Sequence, residues 1–307
     1  MKFDKSMLKI NVRDYVNRRN LLFCAFALVA FVMTYTPIQA LRSSGKSEYY
    51  THIALIPLIT LYLLFLKRKE IFGAQRYDLT RGIPVLVAAL ALFAFGQIWG
   101  VSLDRNNFAS LIALSVVIFI QGAFVLLYGT KAYRIALFPL CFLIFIVPVP
   151  TTMMDGIIFL LQAGSTEFTN LLFWISGVPF MRDGFVFHLP QVSVEVAKQC
   201  SGIRSGLALF ITAILAGYLF LRSPWKIVIL AVCAIVIAMF KNGIRILTLS
   251  LLGNYVDVRI LESSLHREGG IPFFILALLL MAPILFFLRR RENPVRKAPD
   301  EPSEGNG

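Results

Sequence analysis

Residues 227–253, IVILAVCAIVIAMFKNGIRILTLSLLG, run through fourteen uncharged positions before reaching Lys241. A stretch this apolar reads as a helix that crosses a bilayer, whose hydrocarbon core of about 30 Å takes roughly 20 residues. Its second half is unusual, because Lys241, Asn242 and Arg245 follow at i, i+1 and i+4 and share one helix face. Counted from Ile227 at 1.5 Å per residue, Arg245 stands about 27 Å along the axis, near the far edge of the hydrocarbon. Two cations and an amide are costly there unless they face the interior of a bundle, which makes them functional candidates. The bland alternative is snorkelling to the headgroups, and Lys241 is deep for that.

The remaining chain repeats the pattern. Apolar runs at 21–41, 50–66, 83–102, 108–128, 135–149, 200–221 and 271–288 bring the candidate transmembrane helices to about eight. The composition agrees, with 58% hydrophobic and 15% charged residues and a mean hydropathy of +0.75. The fold class is therefore an all-α polytopic membrane protein. Eight spans place both termini on one side. Segments 1–20, 67–82, 129–134, 222–226 and 289–297 carry 20 Lys and Arg, against 7 in segments 42–49, 103–107, 150–199 and 254–270. The positive-inside rule then predicts cytoplasmic termini in the plasma (inner) membrane. The net charge of +13 is accounted for by topology: the basic loops face anionic lipid, and nucleic acid is not an expected partner. Residues 1–20 are polar and lead into a run long enough to span, so no cleavable signal peptide is expected. The domain organisation predicted is a basic cytoplasmic N-terminus (1–20), a single transmembrane domain (21–291) and a disordered cytoplasmic tail (292–307).

Residues 151–199 differ from the spans. Asp155, Gln162, Thr166 and Thr169 recur at roughly helical spacing in 151–177, which predicts an amphipathic helix on the outer surface. Were this segment to span, the basic groups after 222 and 289 would fall outside, against the charge rule. Asp183-Gly184 then signals a tight turn. Phe185, Phe187 and Leu189 alternate before Pro190-Gln191, and Val192, Val194 and Val196 alternate after it. This predicts a small β-hairpin or meander on the outer face, leading into the helix that begins near Cys200.

Topology sorts the reactive groups by depth. Cys24, Cys141 and Cys233 fall in or at the inner end of spans and read as small packing residues. Cys200, in EVAKQCSGIRSG (195–206), stands at the outer mouth of a span beside Lys198 and one turn before Arg204. A helix N-terminus and nearby cations stabilise a thiolate, the nucleophilic form of cysteine. His266, in LESSLHREGGIPFF, lies five residues before the last span, at the same predicted depth as Cys200 and Arg245. His52 and His188 also fall on the outer side, but no HExxH-type spacing supports a metal site, and neither metal nor cofactor is expected.

Together, CSGIRS (200–205), NGIR (242–245) and a histidine with glycine three residues on (His266, Gly269) resemble the exosortase/archaeosortase family. The likeness extends to YYTHIALIPLITLYL in the second span and IVPVP at the end of the fifth. One departure is Ile53 where the family leads us to expect glycine. The resemblance implies a multispanning bacterial cysteine protease-transpeptidase with catalytic positions Cys200, Arg245 and His266. It also implies membrane-anchored protein substrates ending in a PEP-CTERM-type sorting signal: a Pro-Glu-Pro motif, a transmembrane helix and a basic tail. An unidentified acceptor nucleophile would resolve a thioester on Cys200. Arg204, Asn242, Lys241 and Glu195 are candidate substrate-binding or orienting residues beside it. The rival reading is a transporter or lipid-binding scaffold, with Lys241 and Arg245 holding an anionic headgroup.

Overall fold

Proline placement and buried small residues shape the first half of the chain. The computed structural model describes residues 17–43, 50, 52–257, 259 and 270–292. The chain forms two units, Met1–Asp155 and Gly156–Gly307. In the first, α1 (Arg18–Met33) and α2 (Tyr35–Ser43) are followed by α3 (Leu55–Leu66), α4 (Arg68–Gly73), α5 (Leu79–Trp99), α6 (Arg105–Ile135) and α7 (Leu137–Phe142). Helix α6 is central: 67% of its most apolar window is buried, against 22% for α5 and 17% for the run Arg18–Arg42. Gly82 and Gly122 let α5 and α6 touch backbone to backbone. A β-carbon on Gly82 would lie 2.5 Å from Leu126 Cα, and one on Gly122 3.0 Å from Leu86 N. Small residues at a helix interface are how membrane helices gain close packing where lipid removes the hydrophobic drive.

The two motifs outside the cysteine region meet in this unit. Asn106, 1% exposed, donates from Nδ2 to the Val149 carbonyl at 2.8 Å. The Tyr50 hydroxyl donates toward both Asn106 Oδ1 and Val149 O, each at 3.1 Å. Tyr50 of YYTHIAL and Val149 of IVPVP are thus tied through one buried amide.

Six helical segments among the described residues are long and apolar enough to cross a membrane: Arg18–Arg42, Leu79–Trp99, Arg105–Ile135, Lys198–Phe220, Pro224–Tyr255 and Ile271–Arg290. The predicted second span contains only the 12-residue α3. Pro57 lies in its first turn, where a residue without an N–H is readily tolerated. The predicted fifth span is α7 plus a 3-10 turn, Leu143–Ile146, ended at the IVPVP prolines. Taken with the helix after the break as one broken span, it brings the number to seven.

The second unit holds most of α8 (Thr151–Ser176), then β1 (Met181–Asp183), β2 (Val186–His188) and β3 (Ser193–Glu195). It continues with α9 (Ile203–Phe220), α10 (Pro224–Tyr255) and α11 (Gly270–Arg290). The strands form the predicted antiparallel meander, in the order β1-β2-β3. Gly184, at φ 57, opens the tight loop after Asp183. Phe187 is fully buried with Phe173, Val196 and Ile246, and its ring lies 5.3 Å from that of Phe173.

Helix α8 departs from its predicted surroundings. Its polar stripe exists but turns inward: Gln162 is 5% exposed, while Ser165, Thr166 and Thr169 are fully buried. The apolar side faces out, with Trp174 77% and Ile175 67% exposed. The inward groups are hydrogen-bonded, as burial demands. Gln162 Nε2 donates to Val196 O at 2.6 Å, and Thr166 and Thr169 donate to carbonyls one turn back. Of the four stripe residues in the sequence, only Asp155 is exposed.

Helices α9, α10 and α11 share a core of Leu209, Ala213, Leu230, Ala234, Ala277 and Met281. At the start of α10, Glu292 Oε1 accepts from Arg222 N at 2.6 Å and Ser223 N at 3.2 Å. Lys226, 4% exposed, donates to Leu288 O at 3.2 Å and lies 4.0 Å from the same Glu292 oxygen. A carboxylate at a helix N-terminus is favourably placed for the helix dipole.

Candidate active site

Strand β3 ends at Glu195, and the chain makes a single 3-10 turn, Lys198–Cys200, before α9. Gly202 caps α9 at φ 77, ψ 17, a left-handed conformation that favours glycine. A β-carbon there would also meet Asn242 Oδ1 at 3.0 Å, so the Cys-Ser-Gly turn lies directly against α10. Gly243 performs the equivalent service on the other side of α10. Its β-carbon would stand 3.0 Å from Phe168 Cβ and 3.2 Å from Thr169 N, which brings α8 up to the backbone of α10.

Into this junction project the side chains that the sequence singled out. Cys200 and Arg245 are both half-buried and lie within electrostatic reach of one another. Arg245 also feels the charges of Arg204 and Lys241, and Cys200 that of Glu195. Glu195, Lys198 and Arg204 are exposed. Partial burial deprives the sulfur of water, which disfavours a thiolate, and the nearby guanidinium offsets part of that cost.

Two neighbours on α10 are sealed in. Lys241 is 2% exposed, and its Nζ donates to the Ser205 hydroxyl. Ser205 Oγ in turn bonds to Gly202 O at 3.1 Å. Asn242 is fully buried, donating from Nδ2 to Cys200 O at 2.8 Å and to Ser165 Oγ at 3.1 Å. Lys241 and Asn242 are thus enclosed by protein, whereas Arg204 and Glu195 are on the surface.

The transmembrane exosortase family model matches residues 41–283, more than half of the chain. This protein belongs to the transmembrane exosortase family. Exosortases are multispanning membrane proteins, generally cysteine transpeptidases that act on proteins bearing sorting signals. No curated protein and no solved structure matches the chain. The match takes in the Tyr50–Asn106–Val149 tie, the sheet, the Cys200 turn and α10, as well as position 266.

In this exosortase the structure brings Cys200 and Arg245 together, while His266 and Gly269 lie outside the described residues. His188 sits in the sheet with Nδ1 2.8 Å from Ser193 Oγ. Among the described residues no group of three or more His, Cys, Asp or Glu is arranged to hold a metal ion. Cys24 and Cys141 are exposed rather than packed inside, and Cys233 is half-buried. Their apolar helices turn those faces outward, where a small thiol is as compatible with lipid as with a core. The sequence reading overlooked Ser165 and Ser205. Ser165 falls on the polar stripe of α8 between Gln162 and Thr166, and Ser205 closes the CSGIRS motif, so both had a visible signal.

Proposed function

We propose that this exosortase cleaves PEP-CTERM-type sorting signals at the outer interface of the inner membrane through a Cys200 thioester, and passes the substrate to an acceptor. The observation that carries this reading is the placement of a half-buried Cys200, in the turn that opens a membrane helix, within electrostatic reach of Arg245. The distribution of Lys and Arg supports cytoplasmic termini, and with them a Cys200 turn on the periplasmic side.

In the proposed reaction the Cys200 thiolate attacks the scissile carbonyl carbon. The tetrahedral oxyanion forms opposite Arg245, whose fixed charge and planar donors stabilise it; a group in this role contributes roughly 3–4 kcal/mol. The C–N bond then breaks, and the leaving amine takes a proton from the His266 imidazolium, which had received it from the thiol. This leaves an acyl thioester on Sγ. The acceptor nucleophile, deprotonated by His266, attacks that thioester and releases the thiolate. Arg204, exposed beside the turn, lines the approach.

The transporter or lipid-scaffold alternative needs Lys241 and Arg245 to hold an anion together. The burial of Lys241 and its engagement with Ser205 weigh against it. Co-expression with a sorting-signal substrate separates the two readings. Cys200→Ala and Cys200→Ser are expected to abolish processing at unchanged protein level, and normal processing in Cys200→Ala would overturn the mechanism.

A further inference from the structure

We infer that Asn242 and Lys241 are positioning residues that hold the nucleophile turn by its carbonyls, and that Ser165 on α8 anchors this grip. The inference rests on the reading of Cys200 as nucleophile. It departs from the simplest view of a polar face in a membrane helix, which would make Lys241 and Asn242 substrate ligands.

The turn Cys200-Ser201-Gly202 offers α10 two carbonyls. Asn242 takes the first directly, through Nδ2 to Cys200 O at 2.8 Å. The second, Gly202 O, accepts from Gly206 N at 2.8 Å within α9 and also from Ser205 Oγ at 3.1 Å, and Lys241 Nζ donates to that hydroxyl. Adjacent residues of one helix therefore secure both ends of the same three-residue turn. The Asn242 amide is itself fixed, because the same Nδ2 also donates to Ser165 Oγ at 3.1 Å.

The residue types fit this task. An amide nitrogen carries two donors, enough for one carbonyl and one hydroxyl, while aspartate in the same volume would present acceptors to both partners. Ammonium has donors only, so Lys241 commits Ser205 Oγ to accept from it and leaves the hydroxyl proton for Gly202 O. A buried ammonium and a buried amide are expensive in a membrane helix, and that cost is consistent with a geometric requirement. Holding Cys200 O limits rotation about the Cα–C bond, and so fixes where Cβ lies relative to Arg245, leaving Sγ only its χ1 rotamers. A misplacement of about 1 Å at a reacting centre can cost roughly 10²-fold in rate, which sets the scale of the effect.

The test uses the full-length protein in membranes, with Cys24, Cys141 and Cys233 replaced by serine so that Cys200 is the sole thiol. Two quantities are measured: turnover of a sorting-signal substrate, and the rate at which a membrane-impermeant maleimide alkylates Cys200 across pH. Asn242→Asp is expected to lower kcat on the order of 10²-fold with KM nearly unchanged, and to displace the pH profile of alkylation. Ser165→Ala, which removes one anchoring hydrogen bond, is expected to lower kcat about fivefold with a smaller displacement, and Ser165→Thr to restore both. Wild-type kcat in Asn242→Asp overturns the inference. So does lost turnover with an unchanged alkylation profile, the signature of a substrate ligand or a merely structural amide. Should Asn242→Asp fail to accumulate, Ser165→Ala decides alone, and wild-type values of both quantities there overturn the inference. If Cys200→Ala still processes substrate, the transpeptidase reading fails instead; the alkylation arm needs no substrate and continues to test the grip on Cys200.

Discussion

At Gly202 the backbone sits at φ 77, and a β-carbon would come within 3.0 Å of Asn242 Oδ1. Alanine there meets two penalties: about 1–2 kcal/mol for a left-handed L-residue, and displacement of the turn from α10. Gly202→Ala is therefore expected to lose most processing activity, measured with a co-expressed substrate at matched protein level. Arg245→Lys tests a different property. The ammonium keeps the charge but not the planar fork, so kcat should fall roughly 10²-fold; turnover within twofold of wild type would reduce Arg245 to a bulk charge. Gly202 lies within the CSGIRS motif, and Arg245 stood out in the sequence by its place in an apolar run. The partners of Asn242 did not, because which hydroxyl a buried amide reaches depends on how three helices pack.

Among the elements, α8 shows where hydrophobic periodicity loses its meaning. The spacing of Gln162, Thr166 and Thr169 correctly implied one polar face, and the helix has one. A polar face is expected to meet water on a surface helix, but in α8 it is packed inside and hydrogen-bonded while the apolar side turns outward. The sign of the face could not be read from its period. The sheet was legible in more detail, since Asp183-Gly184 and the alternation around Phe187 are local signals. Helix lengths were least legible at α3 and α7, which are shorter than the runs that contain them, whereas α5 and α11 continue through Pro84 and Pro283. The α5–α6 contact gives an element-scale prediction. Gly82→Ala places a methyl group 2.5 Å from Leu126 Cα and should cost about 1–3 kcal/mol, seen as a lower Tm in detergent without a change in the alkylation profile of Cys200.

For the whole molecule, charge acts in two ways. Its distribution predicts the orientation of the chain, with 20 Lys and Arg on the expected cytoplasmic segments against 7 on the opposite ones. Its local pairing closes the second unit, where Glu292 accepts from the backbone of Arg222 and Ser223 at the start of α10. Those N–H donors, the Arg222 amide foremost, hold the Glu292 carboxyl below its ordinary value. A carboxyl lowered on folding contributes stability that is fully present above its unfolded pKa, about 4.3, and is lost as pH falls through the folded value. Acidification from about pH 5 to 3 should thus destabilise the wild type more than Glu292→Gln, which has no such charge to lose. Equal acid sensitivity in limited proteolysis of the two proteins would rule this out.

The same carboxylate has a practical bearing on mapping topology with reporter fusions. A junction placed downstream of residue 292 retains the acceptor for Arg222 and Ser223, whereas one placed at 290 or 291 deletes it along with the carboxylate nearest Lys226. Enzymes fused at those two neighbouring junctions are expected to report the same compartment from chains of unequal durability, so a weak signal from the shorter hybrid would record degradation rather than orientation.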